Sequence, residues 1–224
     1  MCGRTSLANV PEHLRIFLAG YGIPDVPPWY SPRYNIAPSQ DQMLIVERDG
    51  RRQVRAMRWG LVPFWAKDPS IGNKLINARC ETAATKPSYR EAFARRRGLM
   101  VVDGYYEWRK NQTGPKTPFR IHRGDELPFT IAALWERWGS DGDELESCVV
   151  LTTAANEAMR LIHDRMPVIV GKDTADAWLN RETPATVIQE IMTNDVSDLT
   201  AYPVSHYVNS PANDDDRCWL PSGT

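Results

Sequence analysis

Cys2, the second residue of the chain, could present an amine and a thiol at one position. Initiator methionine is normally removed before a small residue, so a mature chain would begin with Cys2. An α-amine has a pKa of about 8 and a thiol of about 8.5, so both are partly nucleophilic near neutral pH. Such a pair can condense with an aldehyde, first to an imine and then to a thiazolidine ring. It could equally serve an N-terminal-nucleophile hydrolase, in which the thiol attacks and the amine is the base. A cysteine at this position is also common and mostly inert, so Cys2 alone selects neither activity.

Three further residues could orient a substrate or transfer protons. Asn77 offers both a donor and an acceptor, and it is expected in a turn-like segment, where it could also only cap its own backbone. Glu107 lies among aromatic residues in a predicted strand, which favours a raised pKa; the alternative is a solvent-facing carboxylate paired with an arginine. His163 is expected where a helix ends and a strand begins. It could exchange protons there, or only interact with the helix dipole.

The cysteines and histidines do not have the spacing of a metal site. The sequence contains no CxxC and no HxxxH pairing, so we expect neither a metal nor another cofactor. In a reducing compartment the thiols are expected to be free. The four cysteines are Cys2, Cys80, Cys148 and Cys218.

Positive and negative charges are distributed unevenly along the chain. Residues 1–123 contain 21 Lys and Arg against 10 Asp and Glu, a balance of +11. Residues 124–224 contain 6 against 18, a balance of −12, which leaves the net charge of −1. The first part could form a basic face for an anionic polymer. Alternatively, the two parts interleave in the fold and neutralise each other.

The elements that must position these residues are mostly strands. Strands are predicted at 43–47 and 53–58, joined by an Asp49-Gly50 turn, and a helix over 7–20 has Pro11 in its first turn. Further strands are predicted at 99–102, 105–109, 117–122, 129–135, 148–152 and 167–170, and further helices at 88–96, 156–163, 173–180 and 184–193. Because no βαβ rhythm is present, this order predicts an α+β fold with a mostly antiparallel sheet. No repeat or linker interrupts the chain, so we expect one domain over 1–224.

Composition excludes several other classes of protein. The 224 residues are 42% hydrophobic and 25% charged, which is typical of a globular domain. The longest apolar runs are far shorter than the roughly 20 residues of a membrane-spanning helix. The first residues contain no apolar signal-peptide core, so a cytoplasmic protein without membrane association is expected.

Several segments, in their order along the chain, resemble the SOS response-associated peptidase (SRAP) family. The resemblance covers nearly the whole chain, and the number and spacing of the segments make it specific. The matching segments are MCGR at 1–4, RYNIAP at 33–38, WGLVPFW at 59–65, INARCET at 76–82, DGYYEW at 103–108, TTAAN at 152–156, HDRMPV at 163–168, and PVS with VN at 203–209.

The resemblance implies a sensor of abasic sites in single-stranded DNA. In this family the mature N-terminal cysteine attacks the ring-opened deoxyribose aldehyde and forms a thiazolidine DNA–protein crosslink. The implied catalytic residues are Cys2, Asn77, Glu107 and His163. The implied DNA contacts are Arg4, Arg79 and Arg165 at phosphates, with Asn35, Pro38 and Trp65, whose ring could stack on a base.

The resemblance also implies a barrel-like core of strands with surrounding helices, a role in the SOS response to DNA damage, and lyase-like Schiff-base chemistry. We expect a monomer that is nucleoid-associated when engaged with DNA. Two alternatives remain. The first is a thiol peptidase or amidase of the N-terminal-nucleophile type. The second is a non-covalent DNA-binding module, for which Cys2 would be dispensable.

Overall fold

A tight turn forms the hairpin that begins the larger sheet. The computed structural model describes residues 2–140, 142–193 and 198–223. Asp49 and Gly50 both have positive φ, 51° and 70°, which is the backbone of a two-residue hairpin turn. The turn joins β3 (Asp41–Arg48) to β4 (Arg51–Trp59), whose residues pair along their whole length. The predicted hairpin is therefore confirmed.

Strands predominate throughout the described part of the chain, and its helices are short. The other strands are β1 (Arg4–Leu7), β2 (Arg33–Ile36), β5 (Asn77–Arg79), β6 (Arg97–Val102), β7 (Gly104–Arg109), β8 (Thr117–Arg123), β9 (Phe129–Trp138), β10 (Leu145–Ala154), β11 (Arg165–Pro167), β12 (Ile169–Val170) and β13 (Leu199–Pro203). The α-helices are α1 (Pro11–Ala19), α2 (Cys80–Ala83), α3 (Arg90–Arg95), α4 (Glu157–Arg160), α5 (Ala175–Leu179) and α6 (Ala185–Thr193). Single 3₁₀ turns occur at Pro69–Lys74, His206–Asn209 and Asp216–Trp219.

The strands form two sheets. The smaller sheet has the order β13-β8-β7-β1-β2, and the larger has the order β11-β10-β4-β3-β6-β9-β12 with β5 beside β10. Because β10 also pairs with β9, the strands β10, β4, β3, β6 and β9 are joined in a ring. The expected α+β class is confirmed, and the pairs are antiparallel except that β10 runs parallel to β4 and β5. The barrel-like core with surrounding helices stays a prediction, since the described strands form two sheets and the helices are few.

Two apolar clusters lie on opposite faces of the larger sheet. Alternate residues of β9 and β10 belong to different clusters, as the two-residue repeat of a strand requires. One cluster packs the sheet against α1, α5 and α6, and the other contains Cys2 and Tyr105 together with Trp59. All four cysteines are buried free thiols, as expected. Within the described ranges, no helix combines the length and apolarity needed to cross a bilayer.

Five predicted elements differ from the structure. The helix predicted at 7–20 spans only Pro11–Ala19, because Leu7 belongs to β1. Asn77 lies in a short strand rather than in a turn, because β5 pairs in parallel with β10. The helix predicted at 156–163 spans only Glu157–Arg160, since the chain must turn back so that Arg165 can pair with Ala154. The strand predicted at 167–170 is divided: β11 pairs with β10, and β12 pairs with β9. The helix at 173–180 is likewise shorter, Ala175–Leu179.

Candidate active site

The amide of Asn77 holds the backbone of Cys2. Parallel pairing places Asn77 opposite Val150 of β10, and from there its Nδ2 donates to the carbonyl oxygen of Cys2 at 2.7 Å. The Oδ1 of Asn77 is buried and accepts no hydrogen bond from the described residues. The Nδ2 of the amide therefore fixes the backbone of Cys2, and its Oδ1 is left to accept a hydrogen bond from an additional donor.

Glu107 lies beside Cys2, as two neighbouring strands require. β1 pairs with β7, with Arg4 opposite Tyr106. The residues that precede β1, including Cys2, therefore run beside Glu107 of β7. The Glu107 side chain is buried, with 3% of the residue exposed. Burial raises the pKa of Glu107, and the charge of His163 acts in the opposite direction. Burial also raises the pKa of the Cys2 thiol, and the Glu107 carboxylate raises it further.

His163 lies just beyond α4, and its Nδ1 has two alternative partners. The backbone N–H of Arg165 lies 3.0 Å from Nδ1, and the Oδ1 of Asp164 lies 2.9 Å from the same atom. The neutral ring with its proton on Nε2 accepts from Arg165, whereas the protonated ring donates to Asp164. Protonation therefore exchanges one partner for the other, and Nε2–H is the donor that the neutral ring keeps.

Tyr105 joins this group, although its residue type alone gave no reason to select it. Its hydroxyl is buried and has no hydrogen-bond partner in the described part of the protein. Burial raises its pKa well above the usual value, and the charges of Cys2 and Glu107 raise it further. Both charges therefore act on the Tyr105 hydroxyl. The only signal in the sequence was its place in the aromatic segment around Glu107.

The four predicted catalytic residues thus come from four separate segments and converge. The group contains a buried thiol, a carboxyl whose pKa is raised, an imidazole and an amide that holds the backbone. This set can take a proton from one atom, deliver one to another and orient a nucleophile. Among the described residues, no three His, Cys, Asp or Glu side chains are placed to hold a metal ion.

Known proteins resemble this chain over most of its length. The family model described as SOS response associated peptidase (SRAP) matches residues 1–211. The chain belongs to the SRAP family. It is 39% identical over 217 residues to the abasic site processing protein YoqW of Bacillus subtilis, covering 95% of this chain and 96% of that one. It is 33% identical over 220 residues to the abasic site processing protein YedK of Escherichia coli, covering 95% and 96%.

A more distant relative and a solved structure extend the comparison. The abasic site processing protein HMCES of Gallus gallus is 30% identical over 264 residues, covering 99% of this chain and 78% of that one. The crystal structure of a protein from Bacteroides thetaiotaomicron superposes with a TM-score of 0.82 at 25% identity, covering 98% of this chain and 99% of that one. The SRAP fold therefore extends over essentially the whole chain.

Two of the arginines expected at DNA flank β10. Arg79 is exposed on β5 opposite Thr152, and Arg165 begins β11 opposite Ala154. Arg79 forms no ion pair with the described residues. Arg165 is paired with both carboxylate oxygens of Glu81, at 2.5 and 2.9 Å. The structure therefore places the two arginines on the two strands that flank β10. Arg165 is held in an ion pair, whereas Arg79 has none among the described residues.

Arg4 and Asn35 are bound to the C-terminal segment. Arg4 donates to Asn35 Oδ1 at 2.8 Å and to the carbonyl oxygens of Val208 and Asn209 at 2.7 and 3.0 Å. Asn35 is fully buried, and its Nδ2 donates to three carbonyl oxygens of residues 208–213. These two residues thus hold the C-terminal segment beside Cys2. Because Asn35 is buried, it would contribute to DNA binding through its hydrogen bond with Arg4.

Pro38 and Trp65 both lie near the short 3₁₀ helix Pro69–Lys74. Ser39, which follows Pro38, donates to Asn73 Oδ1 at 3.1 Å. Trp65 is 49% exposed and lines a groove together with Lys67 and Lys74. An exposed indole beside two ammonium groups suits a stacked base and its phosphate.

Besides Tyr105, two further residues of the site were not predicted from the sequence. Glu81, the partner of Arg165, lies within the segment 76–82, but a carboxylate did not fit a DNA-binding motif. Asn209 accepts from the Trp108 indole N–H at 2.7 Å, and its carbonyl oxygen accepts from Arg4. The VN segment at 208–209, part of the family resemblance, was the available signal for Asn209, but it carried no chemistry of its own.

Proposed function

We propose that this protein processes abasic sites in single-stranded DNA, by forming a thiazolidine crosslink through Cys2 once Met1 has been removed. The observation that carries the proposal is the convergence of Asn77, Glu107 and His163 on Cys2, with Asn77 bonded to its carbonyl oxygen. The names of the relatives support abasic-site DNA as the substrate. The expected role in the SOS response and association with the nucleoid belong to the same proposal.

The reaction needs no oxidant or reductant. The α-amine of Cys2 adds to the aldehyde carbon of the ring-opened sugar, and loss of one water gives an imine. The thiol sulfur then bonds to the same carbon, and its proton passes to the nitrogen, which closes the thiazolidine ring. Burial and Glu107 raise the thiol pKa, so the thiolate is scarce near neutral pH. This favours attack by the amine before the sulfur.

Each residue of the site has a role that fits its surroundings. Glu107 takes the proton that the attacking amine must lose, because a carboxylate with a raised pKa is the stronger base. His163 delivers a proton to the departing sugar oxygen and assists ring opening, and by microscopic reversibility it also assists crosslink reversal. Asn77 orients the amine and the thiol without transferring protons.

The test is intact mass spectrometry of the protein after incubation with abasic single-stranded DNA. The expected adduct has the mass of the protein without Met1 plus the DNA minus one water. Cys2→Ala should form no adduct that is stable without a reductant, while still binding DNA. Cys2→Ser should form an imine that borohydride traps, but no adduct that is stable without the reductant, because its oxygen is a poor substitute for the thiol in ring closure.

Two results would contradict the proposal. A stable, reductant-independent adduct from Cys2→Ser would exclude the thiazolidine. Wild-type protein that forms no adduct but cleaves peptides in a Cys2-dependent way would favour the thiol peptidase or amidase instead.

A further inference from the structure

Arg165 is occupied by an acidic side chain of the protein itself. The Glu81 carboxylate forms a two-pronged ion pair with Nη1 and Nη2 of Arg165, at 2.5 and 2.9 Å. Nη2 also donates to the carbonyl oxygen of Thr152 at 2.5 Å. The Nε of Arg165 is buried and has no partner among the described residues, so a phosphate cannot approach it there. The donors that would meet a phosphate are therefore those that Glu81 already holds.

Glu81 lies on the solvent side of this pair. The side chain of Glu81 is 51% exposed, whereas that of Arg165 is only 12% exposed. The hydrogen bonds from Arg165 hold the pKa of Glu81 at about 2, so the carboxylate is charged at any physiological pH. A DNA phosphate that approaches Arg165 from solvent therefore meets a fixed negative charge first.

We propose that Glu81 is an internal competitor of the DNA phosphate, which must displace it from Arg165 before that arginine can hold the strand. This rests on the proposed function, because it takes Arg165 as a phosphate contact. A phosphate that replaces the Glu81 carboxylate on Arg165 gains less binding free energy than a phosphate that binds an unpaired arginine. Undamaged single strands, which gain nothing from Cys2, are then held weakly. An abasic strand is retained because it becomes covalently bound.

Arg79 provides the internal comparison. It is the last residue of β5, two residues before Glu81, and forms no ion pair in the described ranges. When Arg79 neutralises a phosphate, cations condensed on the DNA are released, so this contact contributes roughly 0.7 to the salt slope on single strands. At Arg165 the displaced Glu81 carboxylate offsets the charge of the arginine, so fewer cations are released and Arg165 should contribute much less to that slope.

The test measures binding of undamaged single-stranded DNA by Glu81→Gln as a function of salt. The amide keeps the size of the side chain and an oxygen that can accept from Arg165, but removes the charge. We expect about 2- to 5-fold tighter binding, the range of a partly exposed ion pair, and a slope steeper by roughly 0.7. Excess undamaged DNA should then inhibit crosslinking of abasic DNA more strongly than in wild type.

Glu91→Gln is the matched control, because it removes the same charge from an exposed pair with Arg95. It should bind like wild type. Glu81→Ala, which has no side-chain acceptor, should also bind more tightly if Glu81 competes. Unchanged or weaker binding in both Glu81 variants would overturn the inference, and weaker binding would instead make Glu81 a residue that positions Arg165. Failure of wild type to crosslink abasic DNA is a separate result, which counts against the proposed function and not against the competition.

Discussion

At the scale of single residues, the charged form of Glu107 destabilises the folded protein. Its proposed role as a base explains why a carboxyl is buried there. A carboxyl whose pKa is raised by burial prefers to be protonated in the folded state. Between its unfolded and folded pKa values the folded state binds more protons, so stability falls as the pH rises through this window. Above this raised pKa the folded protein therefore holds a carboxylate that burial disfavours.

We therefore predict that Glu107→Gln makes the protein more stable at pH 7. The amide has the same shape and no charge to bury, so the midpoint of thermal unfolding should rise. The gain should shrink as the pH is lowered to 4, because wild-type Glu107 becomes protonated there. Thermal unfolding of both proteins at the two pH values is the measurement, with Glu91→Gln as a control for loss of one carboxylate. A variant that is less stable at pH 7 would show that burial does not disfavour the Glu107 carboxylate in the folded protein.

The same substitution should slow the chemistry. One well-placed acid or base contributes about 10²–10⁴-fold in rate, so Glu107→Gln and His163→Ala should each slow crosslink formation or its reversal by a factor in that range. Wild type should also lose rate as the pH falls through the raised pKa of Glu107, whereas Glu107→Gln should lack this limb. The assay follows crosslink formation and then transfer to competitor abasic DNA. Variants that match wild type in both phases would leave these residues with a structural role.

At the scale of elements, the loop between β4 and β5 depends on a close contact between two backbones. Gly60, with φ of 131°, faces Gly72, and a Cβ added to Gly72 would lie 2.5 Å from the carbonyl oxygen of Gly60. The contact holds the loop that carries Trp65 and leads directly to Asn77. Neither glycine can therefore be replaced without moving this loop.

We predict that Gly72→Ala lowers the free energy of unfolding by about 1–3 kcal/mol, the usual range for overpacking. It should also weaken binding of single-stranded DNA, because the loop that presents Trp65 must shift. Gly124→Ala is the control, since a Cβ there has no neighbour closer than 4.0 Å. Denaturant unfolding and DNA titration of both variants provide the measurement. Equal stabilities would mean that the loop relaxes without cost.

The elements also show why some features were predictable from the sequence and others were not. The hairpin at Asp49 and Gly50 is encoded by two adjacent residues, so local pattern was sufficient. The strand that holds Asn77 exists only because it pairs with β10, more than seventy residues later, and three residues carry no strand pattern of their own. The link from Arg4 to Asn209 spans over two hundred positions. Such partners are selected by tertiary packing, which local periodicity does not encode.

At the scale of the whole molecule, the two differently charged parts of the chain interleave. Several arginines of the basic part pair with acids of the acidic part, which supports the interleaving alternative for these residues. The +11 balance of residues 1–123 therefore does not form a phosphate-binding face as a whole. The pairs are Arg33–Asp214, Arg48–Glu146, Arg55–Glu146, Arg52–Asp176, Arg96–Glu136 and Arg123–Asp198.

This pairing predicts a shallow salt dependence of DNA binding. Near the site, Arg79, Lys67 and Lys74 form no ion pair with the described residues, and three phosphate contacts would give a slope of about −2 on single strands. Eleven unpaired charges would give about −8.

Arg79→Ala should reduce the slope by roughly 0.7 on any sequence, because phosphate contacts position the strand without specifying its bases. Arg52→Ala, whose charge Asp176 already neutralises, should leave the slope unchanged. Titrations of undamaged single strands between low and physiological salt measure all three slopes. A wild-type slope near −8, or an equal loss in both variants, would mean that the acids release their arginines when DNA binds.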